Sequence, residues 1–142
     1  MLSRQVKACY GCPYRPIDLL LNDANIVNGK KLNVFDVDLV IEVGKRIEAI
    51  AELKRYSDAS EHEYFTVPAH EVVGYKKVAK SLRCDLYLIV FDGYHYYLSE
   101  IDRFSRHETE FSFGKKVVKF PKEDFRILTE SELQVFFLEK YG

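Results

Sequence analysis

Four charged residues interrupt runs that are otherwise apolar. Asp36 and Asp38 break VFDVDLVIEV, and Glu52 and Lys54 break the following IEAIAELK. Side chains alternate faces along a strand, so Asp36 and Asp38 share one face, as do Glu52 and Lys54. The linking Gly44-Lys45-Arg46 predicts a β-hairpin. A three-residue loop closing Val43 against Ile47 sets Asp38 opposite Glu52 and Asp36 opposite Lys54, with Cβ atoms ~4.5–5.5 Å apart. A two-residue loop would put the two pairs on opposite faces. Two carboxylates that close repel each other unless a cation lies between them. A hard divalent ion takes oxygen ligands, commonly one or two carboxylates with substrate phosphate oxygens. A lysine beside it can stabilise developing charge or position an attacking water. Phosphodiester hydrolysis is the chemistry this set would suit. The competing reading is a ladder of cross-strand ion pairs on a half-exposed sheet, which contributes little.

The rest of the chain supplies elements to hold such a hairpin. Pro16 to Asn22 reads as a short helix with Ile17, Leu20 and Leu21 on one side, preceded by an irregular lead-in over residues 1–15. Asn25 to Asn33 is turn-rich around Asn28-Gly29. Tyr64 to Val67 predicts a short strand. Pro68 opens a helix to about Leu82 whose inner face carries Val72, Tyr75, Ala79 and Leu82. DLYLIVF (85–91) is nearly continuously apolar, so a strand buried on both faces. Asp92-Gly93 predicts a two-residue turn into a strand over Tyr94 to Ile101. Residues 102 to 116 read as an exposed connection before a strand at Val117 to Phe120. Thr129 and Glu132 form a capping box for a last helix that turns Leu133, Phe136 and Phe137 inwards. The class is mixed α/β.

The 142 residues suit one domain, with no repeat and no linker dividing them. Three cysteines are too few for a disulfide scaffold. No apolar run reaches the ~18 residues of a membrane helix, and the N-terminus lacks a signal-peptide core, so the expectation is an intracellular protein off the membrane. One Met and two Gln beside abundant charge is a thermophile-like composition. The formal net charge of −1 looks unfavourable for a nucleic-acid binder, but its distribution is uneven. Residues 36–63 hold eight acids against four bases, whereas residues 113–122 hold four lysines and no acid. An acidic hairpin that a metal could neutralise lies between basic segments that could hold phosphates.

Asp38, thirteen residues, then Glu52-Leu53-Lys54 resembles the D…(D/E)-x-K signature of the PD-(D/E)xK nuclease superfamily. FDVDLVI and IAELK are similar to its two motif strands, and Glu52-Leu53-Lys54 is the only (D/E)-x-K triplet in the sequence. The order of elements over residues 16–101 resembles the archaeal Holliday-junction-resolvase-like branch, leaving 102–142 as a C-terminal extension. The resemblance implies a restriction-endonuclease-like central mixed β-sheet flanked by helices. It also implies a Mg²⁺- or Mn²⁺-dependent deoxyribonuclease, an endonuclease structure-specific for branched DNA, working as a homodimer. Asp38, Glu52 and the Leu53 carbonyl would bind the ion, and Lys54 would serve the hydrolytic water. Members often carry a Glu on the first helix, where this chain offers Asp18. Some place Q-x-x-x-Y on the later helix, where Glu71 to Tyr75 has the spacing with Glu in place of Gln. Asp36 is a neighbour of the site in this reading.

Other features admit two readings each. Lys76, Lys77 and Lys80 on the helix, and Lys115 and Lys116 nearer the end, are either phosphate-binding or solvated faces. Tyr94-His95-Tyr96-Tyr97 offers base stacking or sheet packing. This strand or the Phe136/Phe137 helix would form a dimer interface. Cys9 and Cys12 have the spacing of a metal or redox pair. With Cys84 as a third ligand and His62, His70, His95 or His107 as a fourth they would make a zinc site; otherwise they are a disulfide or two thiols. Three functions follow: a nuclease, a non-catalytic nucleic-acid-binding or protein-interaction module on the same fold, and a small α/β protein with cysteine chemistry.

Overall fold

A computed structural model describes residues 6–10 (backbone only), 37–43 and 46–142. In chain order these form β1 (Val6–Tyr10), β2 (Leu39–Val43), β3 (Arg46–Arg55), β4 (Tyr64–Pro68), α1 (Ala69–Leu82), β5 (Asp85–Phe91), β6 (Tyr96–Ile101), β7 (Glu110–Ser112), β8 (Lys115–Pro121), β9 (Arg126–Leu128) and α2 (Glu130–Tyr141). A strand as apolar as β5 needs cover on both faces. It obtains that in a six-stranded sheet of order β1-β2-β3-β5-β6-β9. The β3–β5 pair is parallel and the others antiparallel, so the sheet is mixed. The parallel pair requires a crossover, and β4 with α1 provides it.

Alternation along the strands divides the apolar residues between two cores. Val40, Ile50, Leu86, Leu88 and Val90 face α1 and meet Val72, Tyr75, Val78 and Ala79. Ile41, Ala49, Ala51, Tyr87 and Ile89 face the other way and meet Leu133 and Phe137 of α2. A second, three-stranded antiparallel sheet of order β4-β8-β7 adds Phe65, Val67, Val118 and Phe120 to the α1 side. Asp38, Glu52 and Lys54 have the parity of Val40 and Ile50. They therefore belong to the face that α1 covers.

The structure departs from several sequence expectations. Residues 6–10 of the supposed lead-in are a strand paired with β2, Val6 against Val43 and Tyr10 against Leu39. Asp92-Gly93 does not make a two-residue turn: Phe91 pairs with Tyr96 across four residues. The Asp92 carboxylate accepts from Tyr94 N (2.7 Å) and His95 N (2.6 Å), which closes the longer loop. Within the expected connection lies the β7–β8 hairpin, turning at Phe113-Gly114 with φ of 51° and 80°. Two positive φ values mark the turn type that suits strand twist, and Phe is an unusual residue at its first position. Tyr96, Tyr97 and Phe137 are buried within the chain, so none is free for base stacking or a dimer interface, and only Phe136 of that pair stays partly exposed. The expected helix at 16–22 and the turn at 25–33 lie outside the described residues.

The capping box is present: Thr129 Oγ1 accepts from Glu132 N and Glu132 Oε1 accepts from Thr129 N. Loss of this cap should cost about 1 kcal/mol, whereas Phe137→Ala should cost about 3–5 kcal/mol because it opens a cavity against Tyr87. Urea denaturation of Thr129→Ala and Phe137→Ala checks this order, and equal losses would contradict it.

Candidate active site

The register that brings Asp38 to Glu52 arises differently from the sequence expectation. Val43 pairs with Arg46, leaving two residues between, not three. A bulge between Ile41 and Glu42 restores the lost residue, so Ile41 pairs with Ala49 and Leu39 with Ala51. Asp38 follows one residue beyond the end of β2. There its carboxylate takes over from the missing strand partner, with Oδ2 accepting from Leu53 N at 2.9 Å. Its own N–H donates to the Tyr75 hydroxyl at 3.0 Å. That hydroxyl donates in turn to Glu52 Oε1 at 3.4 Å.

On α1, Glu71 and Tyr75 are four residues apart and so share a face. Glu71 Oε1 accepts from Lys54 Nζ at 3.1 Å, and Lys54 Nζ lies 4.0 Å from Glu52 Oε2. Asp38, Glu52, Lys54, Glu71 and Tyr75 are therefore one cluster, joined by β2, β3 and α1. Asp18 and Asp36 lie outside the described residues, as does Cys12. Lys76 is not a free phosphate ligand: its Nζ donates to Ser105 O at 2.6 Å and meets the His107 ring. Lys77, Lys80, Lys115 and Lys116 are exposed. Cys84 is a free, buried thiol pushed up to about 12 by burial, an inert core cysteine. Among the described residues no group of three His, Cys, Asp or Glu forms a ready metal cage.

No protein-family model matches the chain, and no curated protein matches it. Among solved structures it is similar to Hjc of Archaeoglobus fulgidus, a Holliday junction resolvase from an archaeal hyperthermophile. The match has a TM-score of 0.50 at 14% identity and covers 94% of this chain and 88% of that one. The fold is restriction-endonuclease-like. At that identity the likeness concerns the fold, and the chemistry has to be read from the residues that the restriction-endonuclease-like sheet brings together.

Glu52 dominates the electrostatics. It is 6% exposed, the one buried charged side chain among the described residues. Its Oε2 is buried without a hydrogen-bond partner. Burial and the neighbouring Asp38 and Glu71 carboxyls push it up to about 10, against the pull of Lys54. Burial draws the Lys54 ammonium down, but Glu52 and Glu71 outweigh it and hold Lys54 above its ordinary value. Burial also favours a neutral Glu71, yet the neighbouring Glu52 carboxyl and the bond from Lys54 prevail and hold it below its ordinary value. Burial and the Glu52 charge raise the Tyr75 hydroxyl, so it stays a neutral donor.

An orphaned buried carboxylate oxygen beside a second carboxylate is a demand for positive charge. Oxygen donors of this kind fit Mg²⁺ or Mn²⁺, which need only one or two carboxylates from protein. Without metal, Glu52 holds its proton more tightly folded than unfolded. The stability that this proton adds is complete below about pH 4.5 and is lost as the pH rises towards about 10. Melting temperatures in EDTA should fall across that window. Glu52→Gln should flatten the fall and melt above the parent at pH 8, and Mg²⁺ should raise the parent's melting point but not the variant's. A variant that melts below the parent at pH 8 would contradict the account.

Proposed function

We propose that the chain is a divalent-metal-dependent deoxyribonuclease that hydrolyses phosphodiester bonds, with branched DNA as its preferred substrate. The observation that carries this reading is the Glu52 carboxylate, buried and short of positive charge, with Lys54 Nζ 4.0 Å away. Asp38, Glu52 and the Leu53 carbonyl are the groups that would hold Mg²⁺ or Mn²⁺. Such an ion, when bound, polarises the scissile phosphate and acidifies a water.

The protein's own groups have separable tasks. Lys54 stays protonated, so it acts as a donor and positive charge towards a phosphate oxygen or the attacking water, and not as the base. Glu71 aims Lys54 through the 3.1 Å bond. Tyr75 fixes Asp38 and Glu52 relative to each other. Paired cuts in a branched substrate call for two such sites, and hence for a homodimer. The branched-DNA preference rests on the likeness of fold to a resolvase.

The test is cleavage of four-way junction, flap, duplex and single-stranded DNA with Mg²⁺ or Mn²⁺. Wild type should cleave, and Asp38→Ala and Lys54→Ala should each lose about 10²–10³-fold while DNA affinity in Ca²⁺ stays within a few-fold. Wild-type binding with no cleavage of any substrate would leave a non-catalytic binding module on this fold instead.

A further inference from the structure

The β7–β8 hairpin contributes no residue to the candidate site. Pro68, the residue before α1, pairs with Val117, so Lys116, Lys115 and the turn extend past the end of β4. They do so at the end of the fold where α1 starts and where Glu71 reaches Lys54. Val118 and Phe120 face the core, and alternation puts Lys116 on that same face. Phe111 is the cross-strand partner of Lys116 and lies beside it. An aromatic and a lysine therefore continue the packed face of the second sheet beyond the helix start.

The aromatics of this hairpin stand in solvent beside lysines. Phe111 is 75% exposed and Phe113, at the turn, is 102% exposed. Phe113 is held at φ 51° by the turn, in a region that costs a bulky side chain energy and gives it no packing in return. Lys115 and Lys116 are exposed beside it, with no acid between residues 113 and 122. Glu110, the nearest strand carboxylate, is committed to Lys119 at 3.4 Å. Lysines interleaved with exposed aromatics fit a nucleic-acid strand, whose bases stack on rings while its phosphates take the ammonium groups. A protein partner matching this patch would need acidic and apolar groups together, whereas DNA supplies both at every nucleotide.

We infer that the β7–β8 hairpin is a substrate-reading element, in which Phe113, with Phe111 beside it, stacks on an unpaired base at a branch or end of the DNA while Lys115 and Lys116 hold the flanking phosphates. The inference deepens the nuclease reading by giving that site a preference for DNA with unstacked bases. It rests on that reading only for the site it serves. Binding in Ca²⁺ tests it without cleavage.

The probe is branched DNA with 2-aminopurine at the junction, compared with a fully paired duplex, titrated with the full chain. Wild type should change the 2-aminopurine fluorescence. Phe113→Ala should abolish that change and weaken branched-DNA binding about tenfold, leaving duplex binding as it was, and Phe113→Trp should restore both. Lys115→Ala with Lys116→Ala should weaken both DNAs and shallow the salt dependence. Phe113 packs on nothing, so folding is not at stake, and circular dichroism checks that. Phe113→Ala binding both DNAs like wild type overturns the proposal. So does a variant that changes only the mass of the protein in solution, which would mark the hairpin as a self-association surface. If the hairpin variants behave as expected but no DNA is cleaved, the nuclease reading fails and the hairpin assignment stands.

Discussion

A carboxylate buried on a strand face among Ile50, Leu88 and Val72 is costly unless it is paired or neutralised. Glu52 occupies that position, and much of the surrounding structure is arranged around it. The bulge in β2 keeps Asp38 alongside, and the first turns of α1 deliver Glu71 and Tyr75. Lys54, two residues along β3, is drawn into the space between the carboxylates. None of these contacts satisfies Oε2. Nearby charge is thus organised around a gap that a small hard cation would fill.

The two faces of the sheet divide the work. The α2 side is apolar packing finished by an aromatic cluster of Tyr87, Phe136 and Phe137. At its margin the Tyr141 hydroxyl donates to Asp85 at 2.5 Å and meets Tyr87 at 2.7 Å, fastening the last turn of α2. The α1 side carries the second sheet and all five clustered polar residues. The apolar α2 face thus lies behind the strands that carry the cluster, and the charged groups of the cluster are confined to the α1 face.

Much of this was legible in the sequence because it depends on residue type. An acid in an apolar strand, the Glu71–Tyr75 spacing and the Thr129–Glu132 cap each announce themselves locally. The nearness of Asp38 to Glu52 also follows from alternation, though through a three-residue loop that the chain does not use. Loop length and bulge compensate each other, and alternation cannot distinguish that pair of errors from none. The β7–β8 hairpin was not legible, since Phe113 at positive φ carries no turn signal beyond Gly114. The commitment of Lys76 to Ser105 and His107 was equally hidden, because it joins residues some thirty apart. Cys9 is in β1, but the cysteine pair as a unit falls beyond the described residues.

Glu52 is buried with one oxygen unpartnered, the position a cation ligand would hold under the proposed function. Mn²⁺ binding followed by electron paramagnetic resonance tests this most directly, with no need for a DNA substrate. Wild type should remove free Mn²⁺ signal with saturation, excess Mg²⁺ should displace it, and Glu52→Gln and Asp38→Asn should lose that binding while remaining folded. Wild type that binds no Mn²⁺, or a Glu52→Gln variant that binds it as well as wild type, would contradict that role for Glu52.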